Sequence, residues 1–116
     1  MSRVQQGSIV RALVRDPAGG NPKIRPLVVV TANSELSAGE SLFAVAITGM
    51  FSDPRLPDEV LLPWHPQGRT RTRLTKPCVA KSAWICELQL TDIVEVRGHL
   101  PTRELEAILE RLATFS

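Results

Sequence analysis

The sequence predicts a mainly β (α+β) protein: a small, strongly bent antiparallel sheet or partly open barrel of five to seven short strands, closed by a C-terminal helix. Three observations carry this. Apolar residues alternate with polar ones or run continuously over short blocks, as strands require. Those blocks are cut apart by clusters drawn from 9 prolines and 7 glycines. Only the final segment repeats its apolar residues at three- and four-residue steps, the period of a helix.

In chain order, Ser8 to Val14 places Val10, Ala12 and Val14 on one face and Arg11 on the other, giving a half-buried first strand. Asp16 to Pro22 gathers turn-forming residues into a mobile surface loop. Pro26 then opens a strand at a position where a missing N–H is tolerated, and Leu27-Val28-Val29-Val30, apolar on both faces, belongs at the centre of the sheet. A polar stretch around Asn33, Ser34, Ser37 and Gly39 leads to Leu42 to Ile47, a second continuous apolar run that should pair beside the first. A short strand at Glu59 to Leu62 is stopped by Pro63, and Trp64 to Gly68 turns the chain. Cys78 to Ile85 and Ile93 to Arg97 read as two further strands. Leu105, Ile108, Leu109 and Leu112 form one apolar helical face, with Thr102 as its N-cap, acidic residues near its start and Arg111 near its end.

A chain of 116 residues has room for one core, so residues 1–116 are read as one domain. At 43% hydrophobic and 22% charged, the composition is that of an ordinary globular protein. A net charge of +2 is too small to establish a polyanionic partner, so local clustering of Lys and Arg must decide that question. No run approaches the ~18 apolar residues of a membrane helix and the N-terminus carries no signal pattern, so a cytoplasmic protein without a membrane partner is expected. Cys78 and Cys86 sit eight positions apart in one predicted strand, too far for an internal disulfide, and read as packing residues. With two Cys, two His and no close spacing between them, neither a metal site nor a cofactor is predicted.

Two polar residues stand at the ends of the two most buried strands: Arg25 before Leu27 to Val30, and Thr48 after Leu42 to Ile47. Groups on rigid strand ends beside loops are held more accurately than groups on loops alone. Lys23 adjoins Arg25, and the glycine-rich loop containing Gly20 has a backbone able to approach a phosphate closely. On pattern alone Arg25 reads equally as a surface arginine at a strand end, and Thr48 as an ordinary β-branched strand residue.

Gly7-Ser8-Ile9-Val10, Asp16-Pro17, Lys23-Ile24-Arg25-Pro26-Leu27-Val28-Val29-Val30 and Ala46-Ile47-Thr48 resemble the PemK/MazF toxins of bacterial toxin–antitoxin pairs. Leu74-Thr75-Lys76-Pro77-Cys78-Val79-Ala80, then Gly98-His99-Leu100 and a terminal helix, extend the resemblance over nearly the whole chain. It implies an SH3-like barrel, a homodimer, a cognate antitoxin partner, and metal-independent, sequence-selective cleavage of single-stranded RNA. It also implies an active site at Arg25 and Thr48. The chemistry suits them: when a ribose 2′-hydroxyl attacks phosphorus, charge grows on the phosphate oxygens. Arg25 offers a permanently charged fork to those oxygens, and the Thr48 hydroxyl can donate or hold the attacking group in line.

The chain departs from the family at the fifth strand, where many members carry an acid and this sequence reads Lys81-Ser82-Ala83-Trp84. No obvious general base remains, and His65 serves only if its loop reaches the site. Trp84 reads as core or dimer interface, and His99 as a turn residue. In an extended hairpin Arg69, Arg71 and Arg73 would line one face as RNA-binding residues; the same row also serves as a charged edge that discourages sheet aggregation. Only Phe51 and Trp64 lie near plausible site loops for stacking bases. Two rivals keep the architecture and drop the chemistry: a gyrase poison of the CcdB type, and a catalytically degenerate SH3-like binding module.

Overall fold

A computed structural model describes residues 4–14, 20, 22–36, 41–51 and 56–115. Strands β1 (Ser8–Val14), β2 (Lys23–Val29), β3 (Ser41–Thr48), β4 (Glu59–Leu61), β5 (Val79–Gln89) and β6 (Ile93–His99) form one antiparallel sheet in the order β4-β5-β3-β2-β1-β6. A four-residue helix, α1 (Asn33–Leu36), lies between β2 and β3. A 3₁₀ turn at Leu90–Asp92 joins β5 to β6, and α2 (Thr102–Phe115) ends the chain. Among the described residues, no helix is long and apolar enough to cross a membrane. The predicted mainly β architecture with a terminal helix is borne out, and the two continuous apolar runs, β2 and β3, are the central pair.

Their centrality explains their composition. Leu27, Val28 and Val29 of β2 and Ala44, Val45 and Ala46 of β3 are fully buried, because both faces of these strands are covered. On one face Ile9, Val28, Val45, Ile47, Val60 and Ala80 pack against Leu105, Ile108 and Leu112 of α2. On the other, Val10, Ala12, Val14, Leu27, Val29 and Leu42 form a second cluster with Leu88, backed by Ile93 and Val96 of β6. Ile108 is wholly buried at the centre of the helix stripe, so truncating it to Ala would cost about 2–5 kcal/mol.

The two edges of the sheet are brought together by the segment between β4 and β5. Leu62 N–H donates to the Cys78 carbonyl and His65 N–H to that of Leu74, extending the β4–β5 hairpin. From there the chain reaches β6, where His99 N–H donates to the Arg71 carbonyl at 2.8 Å. Gly98 permits this approach: a Cβ there would lie 2.5 Å from the Thr72 carbonyl oxygen and 2.6 Å from that of Arg71.

Four local expectations are corrected. The segment holding Arg69, Arg71 and Arg73 is a succession of turns rather than an extended hairpin. The buried Thr72 hydroxyl donates to the Pro63 carbonyl and accepts from the Thr70 hydroxyl and from Leu74 N–H, knotting the chain, while Arg73 takes a left-handed φ of 62°. Thr102 is the first residue of α2, and its cap is Pro101, whose carbonyl accepts from Leu105 N–H. Arg111 straps α2 to the chain before β4, donating from Nε to the Pro57 carbonyl at 3.0 Å. Pro26 lies inside β2 rather than opening it.

Candidate functional site

The last of these corrections makes the site. Val30 N–H donates to the Phe43 carbonyl, so the even-numbered residues of β2 turn their N–H groups toward β3. Pro26 has the same parity and no N–H to offer, and the β2–β3 ladder stops at Leu27↔Ala46. Beyond that pair β2 continues against β1 alone, through Arg25 opposite Ala12, while β3 continues against β5, through Thr48 opposite Val79. Carrying the register on by two residues sets Arg25 across from Thr48. Alternation turns both side chains to the face of Leu27 and Ala46. The two candidate catalytic residues therefore flank the opening that a proline makes between the two central strands.

Both side chains are half-buried and held. Thr48 Oγ1 accepts from Met50 N–H at 3.1 Å, which fixes the hydroxyl and leaves its proton to be donated elsewhere. Arg25 lies over the Trp84 ring, its Cζ 5.2 Å from the ring centroid. Its Nε is buried without a hydrogen-bond partner. Among the described residues no carboxylate comes within ion-pair distance of it, the ion pairs being Arg11–Glu95, Lys81–Asp58 and Lys81–Glu59. An uncancelled cation with a desolvated N–H is a costly arrangement in a resting protein and a prepared one for an anion.

Two further cations stand on this side. Lys23 is exposed, two residues before Arg25 and on the same face of β2. Lys76, which sequence reasoning did not single out, extends along Gly49. A Cβ on Gly49 would meet Lys76 Cε at 3.5 Å and Nζ at 3.7 Å, which puts the ammonium beside the turn that follows Thr48. Its only signal in the sequence is a Lys-Pro pair before the fifth strand. Gly20 is exposed; the rest of its loop, except Pro22, lies outside the described residues.

The fifth strand shows what stands in for an acid. Lys81, opposite Ala46, is paired with Glu59 at 3.1 Å and Asp58 at 3.9 Å on the β4 side. Carboxylates are thus present two ladder rows from Thr48, but they are paired with Lys81 rather than directed at Arg25. The next three residues, Ser82, Ala83 and Trp84, bulge out of register, since Ala46 faces Lys81 while Val45 faces Ile85. That bulge carries Trp84 to Arg25, so Trp84 belongs to the site rather than to the core. Cys86 adjoins it. Burial pushes its thiol pKa above the ordinary 9.0, against the opposing pull of a hydrogen bond with Trp84 and the charge of Arg25. Both cysteines are free.

Arg69, Arg71 and Arg73 are gathered elsewhere, along β6. With Arg97 and His99 they line an open groove of about 750 Å³. His99 is thus a groove residue as well as a strand end. His65 is held in its own turn, its Nδ1 accepting from Gln67 N–H at 3.0 Å, and no described hydrogen bond or ion pair joins it to Arg25 or Thr48. Phe51 is half-buried after the Thr48 turn, and Trp64 is 40% exposed. Among the described residues no group of three His, Cys, Asp or Glu is arranged to hold a metal ion.

A bent six-stranded sheet with a helix on one face defines a small barrel protein, whose two central strands set an arginine across from a hydroxyl where their ladder ends. The chain belongs to the PemK-like, MazF-like toxins of type II toxin–antitoxin systems, the family whose sequence pattern matches residues 5–116. Its fold is shared with MazF from Deinococcus radiodurans, with a TM-score of 0.75 at 20% identity over 97% of this chain and 96% of that one. An endoribonuclease from a mycobacterial species gives 0.73 at 18% identity, over 98% and 91% of the two chains. The Mycobacterium tuberculosis toxin MazF-mt6 gives 0.71 at 19%, over 92% and 93%. A search of curated protein sequences returned no match.

Proposed function

We propose that this chain is a sequence-selective endoribonuclease, the toxin of its pair, which cuts single-stranded RNA at the Arg25–Thr48 cleft without a metal ion. One observation carries the reading: Pro26 ends the ladder of the central strands where an arginine with no carboxylate partner among the described residues is set across from a hydrogen-bonded hydroxyl. A phosphodiester entering there brings the missing negative charge.

In the reaction, the ribose 2′-oxygen forms a bond to phosphorus, the bond from phosphorus to the 5′-oxygen breaks, and a proton passes from the 2′-hydroxyl to the leaving oxygen. Arg25 donates to the phosphate oxygens through a guanidinium that is already in place and already desolvated at Nε, so little reorganisation accompanies charge build-up. Thr48 donates its hydroxyl proton to the phosphate or aligns the 2′-oxygen. Lys23 and Lys76 raise the local positive potential on either side. The groove of Arg69, Arg71, Arg73 and Arg97 grips flanking phosphates, which adds affinity without reading bases. The chain works as one domain in a cytoplasmic homodimer.

A toxin of this family is held in check by a cognate antitoxin, and the fold neighbours include an endoribonuclease in complex with its cognate antitoxin. An antitoxin segment placing a carboxylate on Arg25 would fill the cleft as substrate does. The test is incubation of the purified chain with a long single-stranded RNA in EDTA, beside Arg25→Ala and Thr48→Ala. Cleavage by the wild-type chain that both substitutions abolish or cut by at least tenfold supports the reading. Intact RNA with inhibited gyrase replaces it with a gyrase poison, and neither effect leaves a binding module.

A further inference from the structure

We propose that Trp84 is the positioning residue for Arg25: its indole face holds the guanidinium in the cleft in place of the carboxylate that an arginine so placed would ordinarily pair with. The inference rests on the ribonuclease reading above and adds to it the device that keeps the arginine both ordered and fully charged.

An arginine at the mouth of a cleft has several rotatable bonds and must be held to act as a preformed anion donor. A carboxylate would hold it, but would also cancel its charge, occupy its in-plane N–H groups and repel an incoming phosphate. An aromatic face holds it differently. Stacking uses the flat side of the guanidinium and leaves the N–H donors at its edge free, because cation–π attraction acts perpendicular to the plane in which hydrogen bonds are made. Arg25 has the elements of such a contact: Cζ stands over the Trp84 ring, 5.2 Å from its centre, Nε is buried without a hydrogen-bond partner, and no described carboxylate reaches it.

The placement is built into the sheet. Trp84 closes the three-residue bulge of β5, and without that bulge Lys81 and Ile85 could not face adjacent residues of β3. The bulge is fastened from outside by Asp58, whose carbonyl accepts from Ser82 N–H at 2.9 Å and whose carboxylate accepts from Ala83 N–H at 3.4 Å. Asp58 therefore acts on the arginine at one remove, fixing the backbone that presents the ring.

Two measurements test this. In the first, kcat and KM for cleavage of one single-stranded RNA are compared among wild type, Trp84→Phe, Trp84→Leu, Arg25→Ala and the double variant Arg25→Ala/Trp84→Leu. The Leu variant, apolar but without a π face, should lose about tenfold in kcat with little change in KM, and Phe should restore most of it. The double variant should be no worse than Arg25→Ala alone, since the ring acts only through the arginine. Wild-type kcat in the Leu variant, or losses that multiply in the double variant, would overturn the proposal. The second measurement needs neither RNA nor a folded Leu variant. In Trp64→Phe protein, whose one indole is Trp84, removing the Arg25 guanidinium should shift or brighten the emission, and an unchanged spectrum would overturn the pairing. A wild-type chain that cleaves no RNA yet keeps this spectral coupling would sink the ribonuclease reading while supporting the contact.

Discussion

Five arginines of this chain stand in two settings, and the contrast separates the cation proposed for catalysis from those proposed for binding. Arg25 rises from the interior of a central strand, half-buried, its Cζ over an indole, with a desolvated Nε. Arg69, Arg71, Arg73 and Arg97 are exposed side chains around an open groove at the sheet edge. In water and salt each of those four contributes modestly, in proportion to the phosphates it neutralises. Arg25 sits where the dielectric is lower and its geometry is set before substrate arrives, so the same guanidinium is worth far more. On the proposed reading, the density of arginines in a sequence does not locate the chemistry; the arginine that no described carboxylate reaches does.

The sharpest way to break that contrast is to truncate one arginine at a time. Arg25→Ala should lower kcat by about 10²–10³-fold while leaving the thermal midpoint unchanged or slightly raised, because it also removes a buried N–H that has no partner. Loss of activity accompanied by a collapse in melting temperature would instead make Arg25 a structural residue. Thr48→Ser, which keeps the hydroxyl, should retain most of the activity that Thr48→Ala loses.

Next in size is the support of the groove. Gly98→Ala puts a Cβ against two carbonyl oxygens of the Arg71–Thr72 backbone, so the segment must shift. A loss of about 1–3 kcal/mol in denaturant unfolding is expected, with weaker RNA affinity and an intact cleavage site. Single Arg71→Gln and Arg97→Gln changes should be milder still. In affinity measurements across a salt series, each should reduce the slope of log K against log salt by about 0.7, as for one single-strand phosphate contact removed, and affect all RNA sequences alike. A sequence-dependent effect would mean that the groove reads bases.

The smallest effect concerns the thiol beside Arg25. Because burial favours the neutral Cys86, its alkylation rate should titrate above pH 9.0. The unfolded chain releases that proton first, so folding stability should fall slightly as pH climbs past that value. Alkylation at neutral pH as fast as that of a free thiol would show Arg25 dominating over burial at Cys86.

Much of this molecule was legible in advance because the relevant signals are local. Alternation at Val10, Ala12 and Val14, the continuous runs of β2 and β3 and the three- and four-residue stripe of α2 each follow from how side chains leave a strand or a helix, whatever the rest of the chain does. The Arg-Thr alternation from Arg69 to Arg73 imitated a strand and was misleading, since three hydrogen bonds on the Thr72 hydroxyl outweigh a periodicity with no ladder partner. Trp84 reads as core or dimer interface because nothing in its neighbours announces a bulge. The family resemblance supplied the pair Arg25 and Thr48, but no pattern in the residues said that they would meet.

By itself the sequence determined which stretches are strands, which face of the last segment seeks a core, and that a proline follows the key arginine. Tertiary structure alone decided that Pro26 points its missing N–H at β3, that the ladder therefore opens between Arg25 and Thr48, and that a bulge two strands away delivers an indole to that opening. Side-chain alternation is a property of a few consecutive residues. Which strand lies beside which, and in what register, is settled by contacts among residues far apart in the chain.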